Sequence, residues 1–266
     1  MRRLNLGLCL SVLEFWFRFF GLRYTNRMSV DYSIIVPAYN EEALLAGTIL
    51  ELRVAMAGLP LDGELIVVDN NSTDKTAEIA GGLGAHVVFE PINQISRARN
   101  AGARAARGRH LVFVDADTLI APALLRQALD NLESDRCSGG GALVVLDSGL
   151  HRGARLVLHL WNWLSVRLGL AAGCFMYCRR DDFIGCGGFS EQVYASEELW
   201  LSRCLQRAGR RAGRRFCIIS TPGAVSSGRK LLWHGQGKQL ALLLVLLLFP
   251  YLVRYKRFCG FWYRRP

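Results

Sequence analysis

Acidic residues are absent from the last quarter of this sequence. Residues 199–266 contain fourteen Lys and Arg and no Asp or Glu, whereas residues 1–198 carry a formal charge of −3. An anionic partner is therefore expected at the C-terminal end. Proline is also scarce, at 7 of 266 residues, and 51% of the residues are hydrophobic. This composition excludes a disordered or collagen-like chain and is typical of a chain with a sizeable core.

Apolar runs long enough to cross a membrane are missing as well, since a spanning helix needs about 20 residues. Residues 240–253 form an apolar run of fourteen, followed by basic and aromatic residues that suit an anionic membrane surface. The alternative is a buried core helix with a basic tail. Residues 4–22 contain Glu14 and Arg18, and no small-residue cleavage site follows them, which favours an amphipathic surface helix over a signal peptide. We predict an N-terminal segment over residues 1–30, a globular domain over 31–235 and a membrane-associating segment over 236–266.

The eight cysteines lack the spacing of a disulfide framework or a zinc site. They are scattered along the chain, and Cys174 and Cys178 have no matching second pair. We therefore expect free, partly buried thiols and a reducing compartment. With the terminal segments, this predicts a cytoplasmic protein bound peripherally to the membrane.

Short apolar runs alternate with helical patterns through the middle of the chain. The runs at residues 32–37, 64–69, 86–90, 110–114 and 140–146 predict strands, with a last strand at 216–220. Because the runs are continuous, the strands are expected to be buried on both faces, which indicates an α/β fold with an open, twisted, mostly parallel sheet and helices on both faces. No Gly-x-Gly-x-x-Gly follows the first strand, which argues against a dinucleotide-binding fold. His159, Trp161 and Trp163 fall in a further helix and are expected to pack.

Carboxylates follow three of the predicted strands, at the edge of the sheet where ligands bind in such folds. Glu41 follows the first strand, Asp69 ends the second, and Asp115 and Asp117 follow the fourth. Two carboxylates at i and i+2 on extended chain point to the same side and can share a hard divalent ion such as Mg²⁺ or Mn²⁺. Taken alone, the Asp115–Asp117 pair is weak evidence for a metal site and fits a capped turn better.

The motifs taken in order are more specific. Residues 37–42 (PAYNEE), 67–74 (VVDNNSTD) and 115–117 (DAD) are followed by 187–189 (GGF) and 197–198 (EE). This ordered set resembles the family 2 glycosyltransferases, which have the GT-A fold, over residues 32–230. The resemblance implies a sugar transferred from a nucleotide-diphospho-sugar, with inversion.

The resemblance also implies roles for the donor-side residues. Asp69 would hydrogen-bond the nucleotide base, usually uracil, in a pocket lined by Pro37, Tyr39 and Glu41. Asp115 would lie near the ribose and diphosphate, and Asp117 would be the direct metal ligand.

The acidic pair Glu197 and Glu198 matches the family's general base. The second position, usually Asp, is Glu198 here, so Glu198 is the expected base and Glu197 the alternative. From the sequence, Ser196 can cap a helix that has both glutamates in its first turn, where the helix dipole is expected to lower their pKa.

Cations that can neutralise a diphosphate are plentiful. Arg97 and Arg99 lie on the predicted helix at residues 95–107, and Arg229 and Lys230 follow the last strand, where they can close over the donor. A solvated basic loop is an equal alternative for the latter two. His234 is a candidate third metal ligand.

Two other classes of function compete with this interpretation. A sugar nucleotidyltransferase would show a Gly-rich basic loop after the first strand, but residues 37–42 are acidic. A nucleic-acid-binding protein or a purely membrane-adhering protein would explain the positive charge, yet no nucleic-acid motif is present and the carboxylates would stay unexplained. We therefore predict a metal-dependent glycosyltransferase that uses a UDP-sugar and an acceptor that is lipid-linked, with no nucleic-acid partner.

Overall fold

The computed structural model describes residues 30–147, 152–228 and 250–259. The eight strands are β1 (Tyr32–Ala38), β2 (Gly63–Asp69), β3 (His86–Phe89), β4 (His110–Val114), β5 (Thr118–Leu119), β6 (Cys137–Leu146), β7 (Phe175–Arg179) and β8 (Arg215–Ser226). The described residues also form the α-helices α1 (Leu45–Ala57), α2 (Thr76–Gly82), α3 (Ile95–Ala105), α4 (Pro122–Glu133), α5 (Arg152–Leu168), α6 (Arg180–Gly185) and α7 (Glu197–Arg211). Two 3-10 turns follow at Pro250–Arg254 and Lys256–Phe258. Each strand predicted from an apolar run is confirmed.

One mixed sheet organises these elements, in the order β3-β2-β1-β4-β7-β6-β8-β5. Strands β1 to β4 pair in parallel, as do β6 and β8, whereas β7 runs antiparallel to both β4 and β6. The expected α/β class and mostly parallel sheet are confirmed. Because β1, β2 and β4 are parallel, their carboxyl ends meet at one edge of the sheet.

The hydrophobic core lies on both faces of this sheet. Alternate residues of β1 divide between the faces: Ile34 and Val36 pack in one cluster with α1 and α4, and Ile35 packs in a second cluster with α3 and α7. All seven residues of β1 are buried, which is why the run is continuously apolar.

The expectation of free thiols is wrong for four cysteines. Cys137 is bonded to Cys217, and Cys186 is bonded to Cys204, while Cys174, Cys178 and Cys259 are free and buried. Strands β6 and β8 are neighbours although the first pair is 80 residues apart, so spacing along the sequence gave no sign of it. Disulfides are uncommon in a reducing compartment, so the cytoplasmic location stays a prediction.

The predicted C-terminal segment is described over residues 250–259, and this part packs on the globular domain. Val253 and Cys259 form a small buried cluster with Val193 and Ala195, and Tyr194 N donates a hydrogen bond to Val253 O at 2.6 Å. The predicted N-terminal helix at residues 4–22 and most of the run at 240–253 lie outside the described residues. Within the described parts of the chain, no helix has the length and hydropathy needed to cross a membrane.

Candidate active site

The loops after β1 and β2 interlock at the carboxyl edge of the sheet. Asn40, whose φ is +49°, donates its backbone N–H to Ser72 Oγ at 3.0 Å and accepts from Thr73 N at 2.8 Å through Oδ1. Glu41 N donates to Thr76 Oγ1 at 2.8 Å. These reciprocal bonds fix the two loops against each other, so the side chains at the ends of β1 and β2 share one rigid surface.

Asp69 lies at this surface and is nearly buried, with 6% exposure. It ends β2 directly opposite Ala38, and its Oδ1 accepts a hydrogen bond from Ser72 N at 3.0 Å. Pro37 precedes Ala38 on the neighbouring strand, and Tyr39 and Glu41 follow it. The structure therefore places the four residues expected at the nucleotide base at one corner of the sheet.

The Asp115–Asp117 turn is held from three sides. Asp115 N donates to Cys174 O at 3.1 Å, Thr48 Oγ1 donates to Ala116 O at 2.8 Å, and Ser227 N donates to Asp117 O at 3.0 Å. These bonds fix the backbone of both aspartates relative to β7, α1 and the end of β8. The turn is a rigid platform rather than a mobile loop.

Arg99 joins this turn to the acidic pair that begins α7. Its guanidinium is buried, with 2% side-chain exposure, and Nη1 donates to Glu197 Oε1 at 2.6 Å. Nη2 donates to Asp115 Oδ1 and to Gly173 O, each at 2.8 Å. The guanidinium carbon also lies 5.2 Å from the centroid of the Phe189 ring. One arginine therefore ties together side chains that are 82 positions apart in the sequence.

Helix α3 holds the whole segment that leads to α7. Gln94, directly before α3, donates through Nε2 to the carbonyls of Glu191 and Val193. The Asn100 side chain donates through Nδ2 to Phe189 O and accepts from Phe189 N through Oδ1. Gly188 has φ +75°, and a Cβ there would lie 2.7 Å from Asn100 Oδ1, so glycine is needed for this approach. This role of α3 was not predicted from the sequence. A signal existed, because Arg99 and Asn100 lie among small apolar residues on the buried side of an Ala-rich helix.

The charges of the acidic pair follow from this burial. Burial raises the pKa of Glu197, and the Arg99 guanidinium opposes that rise. Burial also raises the pKa of Glu198, and the neighbouring Glu197 raises it further, while Arg99 again opposes. For Arg99, burial alone would lower the pKa, but Asp115 and Glu197 together raise it above its ordinary value. Arg99 is therefore a permanent cation between the two carboxylates.

Two expectations about the start of α7 are wrong. Ser196 has φ +64°, so the chain enters α7 in a left-handed conformation. In this conformation the Ser196 side chain makes no capping hydrogen bond to the first N–H groups of the helix. The pKa of Glu198 is raised rather than lowered, because loss of water around the carboxylate outweighs the helix dipole.

The remaining site predictions fall partly outside the described residues. Arg97 forms an ion pair with Glu191 at 3.1 Å, and its Nε donates a hydrogen bond to Gln94 Oε1 at 3.1 Å. Arg229, Lys230 and His234 lie outside the described residues. Their roles stay predictions.

The residues present fit a hard divalent ion at Asp117. A buried carboxylate on a rigid turn supplies the oxygen ligand that Mg²⁺ and Mn²⁺ prefer, and such ions keep several positions for water and phosphate oxygens. Among the described residues, no group of three acidic, His or Cys side chains could by itself enclose a metal. The carboxylate of Asp115 accepts a hydrogen bond from Arg99, which leaves fewer of its lone pairs for a metal ion.

Comparison with known proteins agrees with this geometry. The family model described as glycosyl transferase family 2 matches residues 33–183, which is more than half of the chain. The chain belongs to this family.

Curated relatives match over about a third of this chain. An uncharacterised glycosyltransferase of Mycobacterium tuberculosis is 38% identical over 85 residues, which cover 32% of this chain and 36% of that protein. The dolichyl-phosphate beta-glucosyltransferase of Drosophila melanogaster is 36% identical over 102 residues, which cover 34% of this chain and 31% of that protein. The chain thus spans about a third of the length of these relatives.

Solved structures support the GT-A fold. Residues 1–349 of S. aureus TarS, in complex with UDP-GlcNAc, superpose with a TM-score of 0.56 at 19% identity over 75% of this chain and 59% of that chain. Glucosyl-3-phosphoglycerate synthase from Mycobacterium tuberculosis, in complex with Mn²⁺, UDP and its product, superposes with a TM-score of 0.58 at 19% identity over 85% of this chain and 80% of that chain. The expected GT-A architecture is confirmed.

Proposed function

We propose that this protein transfers a sugar from a UDP-sugar to an acceptor hydroxyl, with a divalent metal ion and with inversion at the anomeric carbon. The observation that supports the proposal is the Arg99 network, because one guanidinium bonds both Asp115 of the Asp115–Asp117 turn and Glu197 of the Glu197–Glu198 pair. A transferase needs these two parts together, because one binds the leaving diphosphate and the other activates the acceptor.

The donor half of the proposal rests on the corner formed by β1 and β2. Asp69 accepts hydrogen bonds from the uracil ring, with Pro37, Tyr39 and Glu41 around it. The UDP complexes of TarS and of glucosyl-3-phosphoglycerate synthase, which share the fold, support this choice of donor. Mg²⁺ or Mn²⁺ held by Asp117 would supply positive charge to the diphosphate oxygens. Arg97, Arg229 and Lys230 are further candidates for the diphosphate, and His234 for the metal.

The acceptor half rests on the different surroundings of the two glutamates. Glu197 is bonded to Arg99 and fully buried, so its carboxylate positions the network, whereas Glu198 is half-buried at the same helix start. Glu198 removes the proton from the acceptor hydroxyl, and the oxygen attacks the anomeric carbon from the face opposite the diphosphate. The bond from this carbon to the diphosphate oxygen breaks, and UDP leaves with the electron pair. A raised pKa suits a base that takes up a proton near neutral pH.

Titration calorimetry of UDP in the presence of Mn²⁺ tests the donor site. We expect Asp117→Asn to weaken UDP binding by at least about tenfold, the usual loss when a metal interaction of about 1.4 kcal/mol or more is removed. Asp130→Asn is the control, since Asp130 is exposed on α4. Equal UDP affinity in the wild type and in Asp117→Asn would contradict the metal role.

We further propose that the acceptor is lipid-linked and that the protein binds the cytoplasmic face of the membrane. The basic and aromatic residues at 254–266 support this. So does the packing of residues 250–259 against the loop that leads to Glu197. The name of the Drosophila relative also includes a lipid phosphate as acceptor.

Vesicle flotation of the full chain tests the membrane proposal. We expect flotation with vesicles containing anionic phospholipid at low salt and release at high salt, because surface attraction between charges is screened. Recovery in the soluble fraction at low salt would contradict it.

A further inference from the structure

Helix α5 exposes an apolar face that the globular domain leaves to solvent. Leu156 is 71% exposed, and Leu160 and Trp163 are each 55% exposed. Their spacing of i, i+4 and i+7 places them on one side of the helix. Val157, Val166 and Leu168 are exposed beside them. The predicted packing of Trp163 is therefore wrong, whereas Trp161 packs against the main core cluster.

The opposite side of α5 is firmly attached to the domain. Asn162 bonds both backbone groups of Val144 in β6, donating at 2.9 Å and accepting at 3.1 Å. Ser165 is fully buried and donates to Leu170 O at 2.7 Å. The apolar face is therefore held outward by the fold itself.

The charge on α5 has a single sign. The helix contains Arg152, Arg155 and Arg167 and no Asp or Glu. The Arg167 guanidinium carbon lies 5.5 Å from the centroid of the Trp163 ring, so the cation and the aromatic side chain share the exposed face. Exposed leucine and tryptophan on a helix whose charged residues are all arginine suit the interface of an anionic bilayer, where a long arginine side chain can reach the headgroups.

We propose that α5 lies flat on an anionic lipid bilayer, with Leu156, Leu160 and Trp163 inserted at the level of the headgroups. This inference rests on the proposed membrane association and names a surface for it that is independent of the chain termini. The segment that follows α5 supplies Gly173 O to Arg99 and Cys174 O to the backbone of Asp115, so α5 and the candidate site are joined by a short stretch of chain.

A matched pair of double variants tests the surface. Leu156→Glu/Leu160→Glu introduces two acids on α5, and Leu50→Glu/Val54→Glu introduces the same two acids at the same spacing on α1. Leu50 and Val54 are 52% and 60% exposed but flank Glu51 and Arg53, so α1 lacks the single-sign charge. In full-length protein, with vesicles containing phosphatidylglycerol, we expect the α5 variant to lower the partition coefficient by at least about tenfold. The α1 variant should lower it less than about twofold. Equal losses in the two variants would overturn the inference.

Quenching by brominated phospholipid tests the contact at one residue. The emission of Trp163 is obtained as the difference between the fluorescence of the wild type and that of Trp163→Phe. We expect this emission to be quenched when the full chain binds brominated vesicles. If the protein floats but this fluorescence is not quenched, α5 does not contact the bilayer, although the membrane association stands. If Trp163 is already shielded from acrylamide without vesicles, another segment of the chain covers α5 and the inference is wrong. Binding of UDP by both double variants checks that the donor site is folded.

Discussion

Replacing Arg99 with methionine should destabilise the protein far more than replacing Arg97, two residues earlier on the same helix. Arg99→Met removes the buried cation between Asp115 and Glu197, together with its hydrogen bond to Gly173 O. Breaking a buried ion pair by removing one partner costs about 3–5 kcal/mol, because the remaining charge stays buried without compensation. That is a large part of the about 5–15 kcal/mol by which domains are stable.

The control pair is chemically the same and differs in burial. Arg97 and Glu191 form an ion pair with side chains about one third exposed, and such pairs contribute about 0–1 kcal/mol. Arg97→Met should therefore lower the free energy of unfolding by at most about 1 kcal/mol. Arg99→Lys should fall between the two, since an ammonium keeps the charge but lacks the planar fork that spans both carboxylates.

Urea unfolding followed by circular dichroism measures these differences. With a slope of about 1–3 kcal/mol per molar urea, a loss of about 4 kcal/mol shifts the midpoint by more than about 1 M. Arg99→Met/Glu197→Gln should recover part of the loss, because the second change removes an unpaired charge. If Arg99→Met is no more destabilising than Arg97→Met, the buried network does not hold the site together.

Three further predictions concern the catalytic segment. Glu198→Gln should lower kcat by about 10²–10⁴-fold with UDP affinity retained. Glu197→Gln should also lower the stability measured by thermal unfolding. If instead Glu197→Gln lowers kcat without a loss of stability and Glu198→Gln destabilises the protein, the base is Glu197. The acid limb of the kcat–pH profile should lie well above the ordinary glutamate pKa of 4.5, because the base must be ionised and burial raises the pKa of Glu198; a profile flat down to pH 5 would contradict this. Gly188→Ala should lower the melting temperature more than Gly187→Ala, because both glycines have positive φ but only a Cβ at position 188 would contact Asn100. Equal shifts in melting temperature would show that the approach of Gly188 to Asn100 does not contribute to stability.

The sequence was sufficient for most strands of the sheet and for the edge where the site lies, but not for β5 or for the order of the strands. The apolar runs of β1, β2 and β4 are continuous because each strand is covered on both faces, and the residue that follows each run marks the carboxyl edge. Asp69, Asp115 and Asp117 could therefore be placed together before any side-chain position was known.

The contacts between distant segments could not be predicted in this way. Arg99 was only one of several cations on its helix until the fold brought it against Asp115 and Glu197. The pKa of Glu198 depends on burial by residues far along the chain, and the helix position alone gave the wrong direction. The Cys137–Cys217 bond likewise depends on which strands are neighbours, a property that local periodicity does not contain.

Release of nucleoside diphosphate from a panel of nucleotide sugars tests the central claim most directly. The wild type should release UDP from at least one UDP-sugar in the presence of Mn²⁺ and should stop when EDTA is added. Glu198→Gln should bind UDP as the wild type does and release it at least about 10²-fold more slowly. UDP release that continues at the wild-type rate in EDTA and in Glu198→Gln would contradict both the metal and the base, and with them the proposed reaction.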